Sequence, residues 1–171
     1  MSSLTSEKHR SDLEQFGELL VQEAYEVQLV PAAGVVPYDT LMVKLDLLWL
    51  ELSFLPGLED ELDDVSILQC FVAVCERTVD AAGFERLIGK LNAKLPIGGF
   101  GLLDDPQVLF FKHNSMLPND DRVASFQIVH ELVAMSGYLI GVFSSSLIEV
   151  ATGEKTVDAA MSDMPFRDVI G

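Results

Sequence analysis

The sequence is poor in positive charge, and this shortage limits its possible partners. It has 11 Lys and Arg against 27 Asp and Glu among 171 residues, a formal net charge of −16. So acidic a surface repels phosphates within the Debye length of about 10 Å at 0.1 M salt. A nucleic-acid partner is therefore disfavoured, and a basic partner would be attracted.

Cysteine is also scarce. Cys70 and Cys75 lie in one apolar, strand-like run, and neither belongs to a CxxC motif. Five residues apart in a strand, their side chains point to opposite faces and cannot pair with each other. We interpret both thiols as small buried hydrophobes of a reducing compartment. Because the N-terminal segment lacks the apolar core and cleavage site of a signal peptide, we expect a cytoplasmic location.

No apolar run is long enough for a typical membrane span. The longest uncharged stretch runs from Leu132 to Ile148, contains four serines, and is flanked by Glu131 and Glu149. A spanning helix needs about 20 predominantly apolar residues and usually has basic flanks. We therefore expect no membrane insertion.

Catalytic motifs are missing too. His130-Glu131 begins an HExxH zinc motif, but Ala134 stands where the second histidine belongs. The glycine-rich run from Ile97 to Gly101 follows a helical pattern, whereas a phosphate-binding loop precedes its helix. These absences favour a protein that is not an enzyme and needs no cofactor.

One acidic run leaves an alternative open. Glu59 to Asp64 places five carboxylates in six positions, and hard cations prefer oxygen ligands. The alternative hypothesis is a metal-dependent or small-ligand-binding enzyme that uses this loop, or a pocket near His113. The run lacks the glycine and the distal glutamate of an EF-hand, so a solvated hairpin tip is the simpler interpretation.

Apolar residues, in contrast, are abundant. They form 49% of the chain, and the mean hydropathy is +0.30. We predict a single domain over residues 1–153, followed by a tail over 154–171 with a weak helical signal from Val157 to Met161. High apolar content beside strong negative charge predicts more apolar surface than one core needs, and hence self-association or a protein partner.

The central segment from Asp80 to Asn114 predicts a helix followed by a hairpin. The glycines after Pro96 permit a bend into strands on either side of a turn at Asp104 to Pro106. The predicted helix has one apolar stripe and one basic face. The stripe contains Phe84, Leu87, Ile88, Leu91 and Leu95, and the basic face contains Arg86, Lys90 and Lys94.

The rest of the chain completes an α+β pattern. A first helix is predicted over Thr5–Tyr25, three strands over Glu26–Val30, Tyr38–Leu55 and Val65–Glu76, and a long helix after Pro118–Asp121. A helix remains possible for the leucine-rich second strand, and a late strand remains possible near Tyr138–Phe143. The result is a mostly antiparallel five-stranded sheet with flanking helices.

Two motifs carry a resemblance to a known family. The run LNAKLPIGGFGL from Leu91 to Leu102, with VLFFKHNSML from Val108 to Leu117, resembles the YbjN family. The similarity covers about Asp64 to Val150, and the tail after Gly153 departs from it. That family is similar in fold to class I type III secretion chaperones, which are small, acidic, dimeric cytoplasmic proteins that hold partly unfolded clients.

The resemblance implies an α-β-β-β-α-β-β-α protomer and a homodimer. Its expected interface contains Phe84, Ile88, Leu91 and Phe100. The motifs consist of packing and turn residues without a catalytic group, so they imply no reaction.

Three aromatic residues are candidates for partner binding: Trp49, Phe110 and Phe111. They either fill the core, as aromatic side chains often do, or line a groove for a partner. We expect a non-enzymatic, chaperone-like or regulatory protein-binding module that acts as a homodimer. It would capture a protein or peptide client by apolar patches or by strand addition at a sheet edge.

Overall fold

The computed structural model describes residues 3–34, 36–55, 64–79, 83–104 and 107–164, with side chains from residue 6 onward. The described residues form four helices and six strands. In chain order these are α1 (Ser3–Gln22), β1 (Val27–Val30), β2 (Thr40–Leu45), β3 (Leu48–Phe54), β4 (Val65–Glu76), α2 (Phe84–Asn92), β5 (Gly99–Leu102), β6 (Val108–Pro118), α3 (Arg122–Ala151) and α4 (Val157–Asp163).

The strands form one open antiparallel sheet. Its order is β1-β2-β3-β4-β6-β5, which leaves β1 and β5 at the two edges. The predicted α+β class is confirmed. The predicted number of strands is wrong, because the sheet has six rather than five.

The additional strand comes from a hairpin within Tyr38–Leu55, which the sequence analysis treated as one strand. Leu45 pairs with Leu48, so Asp46 and Leu47 form a two-residue turn. Asp46 has φ of 51°, a left-handed conformation that aspartate adopts more readily than most residues. Leu47 is 89% exposed at the tip. The turn escaped detection because it contains no glycine, asparagine or proline.

The register of this hairpin explains the alternation in the sequence. Leu41 pairs with Leu52 and Val43 pairs with Leu50, and all four side chains are buried. Side chains alternate between the two faces of a strand, so each arm directs its leucine and valine positions to the core. The alternative of a helix here is wrong.

The chain divides into two compact units. Unit 1 contains Met1–Phe71 and Asn114–Ala134, and unit 2 contains Val72–His113 and Met135–Gly171. The boundaries therefore fall inside β4, β6 and α3. The predicted division into a domain over 1–153 and a tail over 154–171 stays a prediction.

In unit 1, α1 packs against the sheet. Leu13, Phe16 and Leu20 repeat at helical spacing and are buried, whereas Val21 is 54% exposed. His9 stacks on Phe54 with ring centroids 4.3 Å apart. A Cβ added to Gly17 would lie 3.2 Å from Leu41 Cδ1, so a small residue is needed where the helix meets β2.

In unit 2, α2 has the predicted amphipathic form. Its buried residues are Phe84, Leu87, Ile88 and Leu91. Its basic residues Arg86 and Lys90, and Lys94 beyond its end, are exposed. The helix ends at Asn92, ahead of the predicted end near Leu95.

The long helix α3 extends from Arg122 to Ala151, so the alternative of a late strand is wrong. Asp121 caps its start, because its Oδ1 accepts a hydrogen bond from the Ala124 N–H at 2.9 Å. By length and composition α3 could cross a membrane: its most apolar window has a mean hydropathy of 1.5 and is 39% buried. Core helices of soluble proteins pass the same test, and the absence of membrane insertion stays a prediction.

The weak helical signal near the C-terminus corresponds to α4. Thr156 caps it by accepting a hydrogen bond from the Ala159 N–H at 3.3 Å. Ala160 faces inward and is buried. Lys155, just before α4, forms ion pairs to Glu149 of α3 at 3.0 Å and to Asp163 at the end of α4 at 2.9 Å.

Candidate functional site

The free edge of β1 is the candidate site. β1 pairs with β2 so that Val27 lies opposite Val43 and Leu29 opposite Leu41. In the same register, the Lys44 N–H donates to the Glu26 carbonyl at 2.9 Å. Hydrogen-bonded and non-hydrogen-bonded pairs alternate along an antiparallel ladder. The N–H and C=O groups of Val27 and Leu29 therefore point away from β2.

This edge has the properties of a template for an added strand. Within the described part of the chain, no strand lies beyond β1 on its outer side. Its sequence, VQLV, contains no charge and no proline, which are common means of blocking an edge. Val27 and Leu29 are half-buried, and Gln28 is exposed on the other face. Two residues thus present outward backbone groups beside apolar side chains.

The opposite edge, β5, is partly covered by a side chain. The Phe100 N–H donates to Asn92 Oδ1 at 2.8 Å, and Asn92 Nδ2 donates to the Phe100 carbonyl at 2.8 Å. The amide thereby makes the two hydrogen bonds that a residue of a neighbouring strand would make. A Cβ added to Gly99 would lie 3.3 Å from this amide, so the fit is close. An added strand would have to displace Asn92.

Acidic groups surround the β1 edge. Glu23 and Glu26 are exposed just before the strand, and Asp39 lies half-buried at the end of the following loop. Glu26 pairs with Lys44 at 2.9 Å, and Asp39 Oδ1 accepts from the Ala32 N–H at 2.7 Å. Together with the net charge of −16, these carboxylates favour a basic segment over an acidic one.

The predicted dimer-interface residues lie together in unit 2. Phe84, Ile88 and Leu91 come from α2 and Phe100 from β5, and each is at most 6% exposed in the single chain. They form core contacts there and offer little accessible surface to a second copy. In a dimer they could therefore only support the exposed residues that make the contact. The interface itself stays a prediction.

The predicted partner-binding aromatics occupy different settings. Trp49 is half-buried in unit 1, with Lys44 Nζ 5.6 Å from its ring centroid. In unit 2, Phe110 is half-buried and Phe111 is fully buried, with its ring 5.2 Å from that of Phe100. Phe111 packs in the core of the single chain, and the partner-binding roles of Trp49, Phe110 and Phe111 stay predictions.

The features considered for catalysis do not converge on a site. Residues 59–63 of the acidic run Glu59–Asp64 lie outside the described residues, so the metal-loop alternative stays a prediction. Among the described residues, no group of three or more His, Cys, Asp and Glu could hold a metal ion. Burial raises the pKa of the Cys75 thiol, which disfavours the nucleophilic thiolate. Burial also lowers the pKa of His113.

Sequence reasoning missed both the open edge and its partly covered counterpart. Strand order decides which strand is at an edge, and local pattern does not reveal that order. The sequence carries a weak signal for the role of Asn92. An asparagine at the end of the predicted helix lies only eight residues before Phe100 in the predicted strand, close enough for its amide to bond to that strand.

Comparison with known proteins gives no family for this chain. It matches no protein-family model, and no curated protein matches it. The resemblance to the YbjN family therefore remains a proposal based on the two motifs.

Proposed function

We propose that this chain is a non-enzymatic, chaperone-like or regulatory module that binds an extended segment of another protein by strand addition at β1. The observation that carries the proposal is the outward direction of the N–H and C=O groups of Val27 and Leu29 at an uncharged edge. Main-chain hydrogen bonds give such binding its affinity, and alternate side chains give it specificity.

The partner is an extended segment in which apolar and basic residues alternate. Its apolar side chains would continue the row formed by Val27 and Leu29, and its basic side chains would meet Glu23, Glu26 and Asp39. The edge offers four backbone groups, and each hydrogen bond contributes about 0.5–1.5 kcal/mol net. Ordering the segment offsets part of this sum, so we expect reversible binding with Kd in the micromolar range or weaker.

The proposal includes the homodimer, the cytoplasmic location and the relation to the secretion chaperones that the resemblance implies. The element order is compatible with that relation, with one more strand before α2 and α4 added at the end. Molar mass from light scattering tests the dimer, and a monomer at all concentrations would refute it. Because Leu91 is fully buried, substitutions there would report on folding rather than on assembly.

The test of strand addition uses synthetic peptides and two variants of one residue. A fluorescent peptide of alternating Lys and Val is compared with a Glu/Val peptide and with a Lys/Val peptide whose backbone is N-methylated along one edge. Leu29→Pro removes the outward N–H, and Leu29→Ala shortens the side chain but keeps that N–H. Circular dichroism verifies that both variants are folded.

We expect the Lys/Val peptide to bind, the other two to bind at least about tenfold more weakly, and Leu29→Pro to lose more affinity than Leu29→Ala. Full affinity in folded Leu29→Pro would exclude strand addition at this edge. Absence of binding at about 1 mM peptide would also overturn the proposal, because a Kd of about 1 mM requires only about 4 kcal/mol of binding free energy.

A further inference from the structure

A second candidate site lies between two helices of unit 2. An open cavity of about 620 Å³ separates α2 from α4. Arg86, Leu87 and Lys90 line it from α2, and Val157, Asp158 and Met161 line it from α4. Sites for small molecules usually measure about 300–1,000 Å³, so the cavity has the size of a ligand site.

The charge at this cavity differs from that of the whole chain. Arg86 and Lys90 are four residues apart on α2, so their side chains are neighbours, and like charges at this spacing destabilise a helix by about 0.2–0.5 kcal/mol. Within the described residues neither forms an ion pair, and Lys90 Nζ lies 4.0 Å from Met161 Sδ. A bound anion would relieve this repulsion, and guanidinium groups bind phosphate and carboxylate in bidentate fashion.

The remaining walls of the cavity are partly apolar. Val157 and Met161 are half-buried on α4, whereas Leu87 of α2 is fully buried and exposes no surface to a ligand. Asp158 is the acidic residue of the lining. Two cations beside two accessible apolar side chains match a ligand with an anionic head and an apolar body.

We propose that the cavity between α2 and α4 binds a small anionic amphiphile. Arg86 and Lys90 hold its phosphate or carboxylate head, and Val157 and Met161 contact its apolar body. This site is separate from strand addition at β1 and does not depend on it. Since α4 supplies one wall, the ligand also holds α4 against α2.

Four probes test the proposal by isothermal titration calorimetry on the full chain. Octyl phosphate and octanoate carry both parts of the ligand, inorganic phosphate carries only the head, and 1-octanol carries only the body. We expect at least one of the two amphiphiles to bind at least about tenfold more tightly than phosphate and octanol. The tighter of the two identifies the head group. Equal binding of phosphate and the amphiphiles, or no binding of either amphiphile at about 1 mM, would overturn the proposal.

Variants then locate the binding. Arg86→Gln with Lys90→Gln should weaken the bound amphiphile at least about tenfold, and Asp158→Asn should strengthen it a few-fold. Lys94→Gln is the matched control, because Lys94 is exposed just beyond α2 and does not line the cavity. If Lys94→Gln weakens binding as much as the double variant, the probe responds to overall charge and the site is refuted. Circular dichroism verifies that each variant is folded.

Discussion

At the scale of single residues, Asn92 covers part of one edge of the sheet. Its amide makes both hydrogen bonds to Phe100 at 2.8 Å and so occupies the outward backbone groups of that one residue of β5. A side chain from the preceding helix thus takes the place of a neighbouring strand. Sheet edges need such protection, because unpaired backbone groups promote pairing with other chains.

The first prediction is that Asn92→Ala destabilises the protein and exposes β5. Two partly buried backbone groups lose their partners, and each unsatisfied group costs about 1–3 kcal/mol when water does not replace the bond. We expect a lower urea midpoint and concentration-dependent association in light scattering. Asn92→Asp keeps the acceptor but not the donor, so its urea midpoint should lie between those of the wild type and Asn92→Ala. A wild-type midpoint in Asn92→Ala would show that these bonds contribute nothing net.

The second prediction contrasts two glycines. Gly89 lies inside α2, and an added Cβ meets nothing within 4 Å. Gly89→Ala should therefore stabilise the protein by about 0.5–1 kcal/mol, because alanine has the higher helix propensity.

Gly98→Ala is the control and should lower the free energy of unfolding. Gly98 has φ of 61°, and an added Cβ would lie 2.6 Å from Phe111 Cζ and 2.8 Å from the Lys112 carbonyl oxygen. Urea unfolding measures both variants. A stability in Gly98→Ala equal to that of the wild type would contradict this close packing.

The third prediction concerns pH. Burial lowers the pKa of His113 below its ordinary value of 6.5. At a pH between the lowered pKa of the folded chain and 6.5, the unfolded chain binds more protons at His113 than the folded chain does. The free energy of unfolding therefore falls as the pH drops through 6.5. His113→Gln removes this contribution. We expect the wild type to lose more unfolding free energy than His113→Gln between about pH 7.5 and pH 5.5. The difference between the unfolding free energies of the wild type and His113→Gln cancels the effect of the carboxylates, which both proteins share. If the two unfolding free energies change with pH in parallel, the prediction is contradicted.

At the scale of elements, the β2–β3 hairpin depends on a two-residue turn without glycine. The fourth prediction is that Asp46→Val destabilises the protein by about 1–2 kcal/mol, since a β-branched residue tolerates the left-handed conformation poorly. Leu47→Val, at the exposed neighbouring position, should change stability little. Thermal unfolding measures both. Equal losses would show that the turn does not depend on the conformation of Asp46.

The same hairpin shows where prediction from the sequence succeeds and where it fails. Alternation places Leu41, Val43, Leu50 and Leu52 on one face, which fixes strand character and the core side. The turn between the arms leaves only a weak compositional mark, because it contains one aspartate and no glycine, asparagine or proline. Local pattern thus finds the strands but not their number.

The candidate site was less predictable than the elements. The apolar stripe of α2 correctly indicates which side chains are inward, but burial in one chain and burial in a dimer produce the same pattern. The resemblance places Phe84, Ile88 and Leu91 at a dimer interface; in the single chain they lie in the core of unit 2, and the interface stays a prediction. The availability of β1 depends on strand order, and the partial covering of β5 depends on Asn92. Neither feature is visible in the local sequence pattern.

At the scale of the whole molecule, charge should govern the rate of partner binding. The net charge of −16 creates a field that attracts a basic segment toward the β1 edge, and salt screens that field. Raising the ionic strength from about 0.1 M to about 1 M shortens the Debye length from about 10 Å to about 3 Å.

The fifth prediction is that this increase in salt lowers the association rate constant of the Lys/Val peptide at least about tenfold and changes its dissociation rate constant little. Electrostatic attraction acts mainly during approach, whereas backbone hydrogen bonds and apolar contacts hold the bound strand. Stopped-flow fluorescence measures both constants. A peptide in which serine replaces lysine is the control and should associate at a rate nearly independent of salt. If salt instead accelerates dissociation and leaves association unchanged, close ion pairs hold the bound segment rather than the ladder at β1.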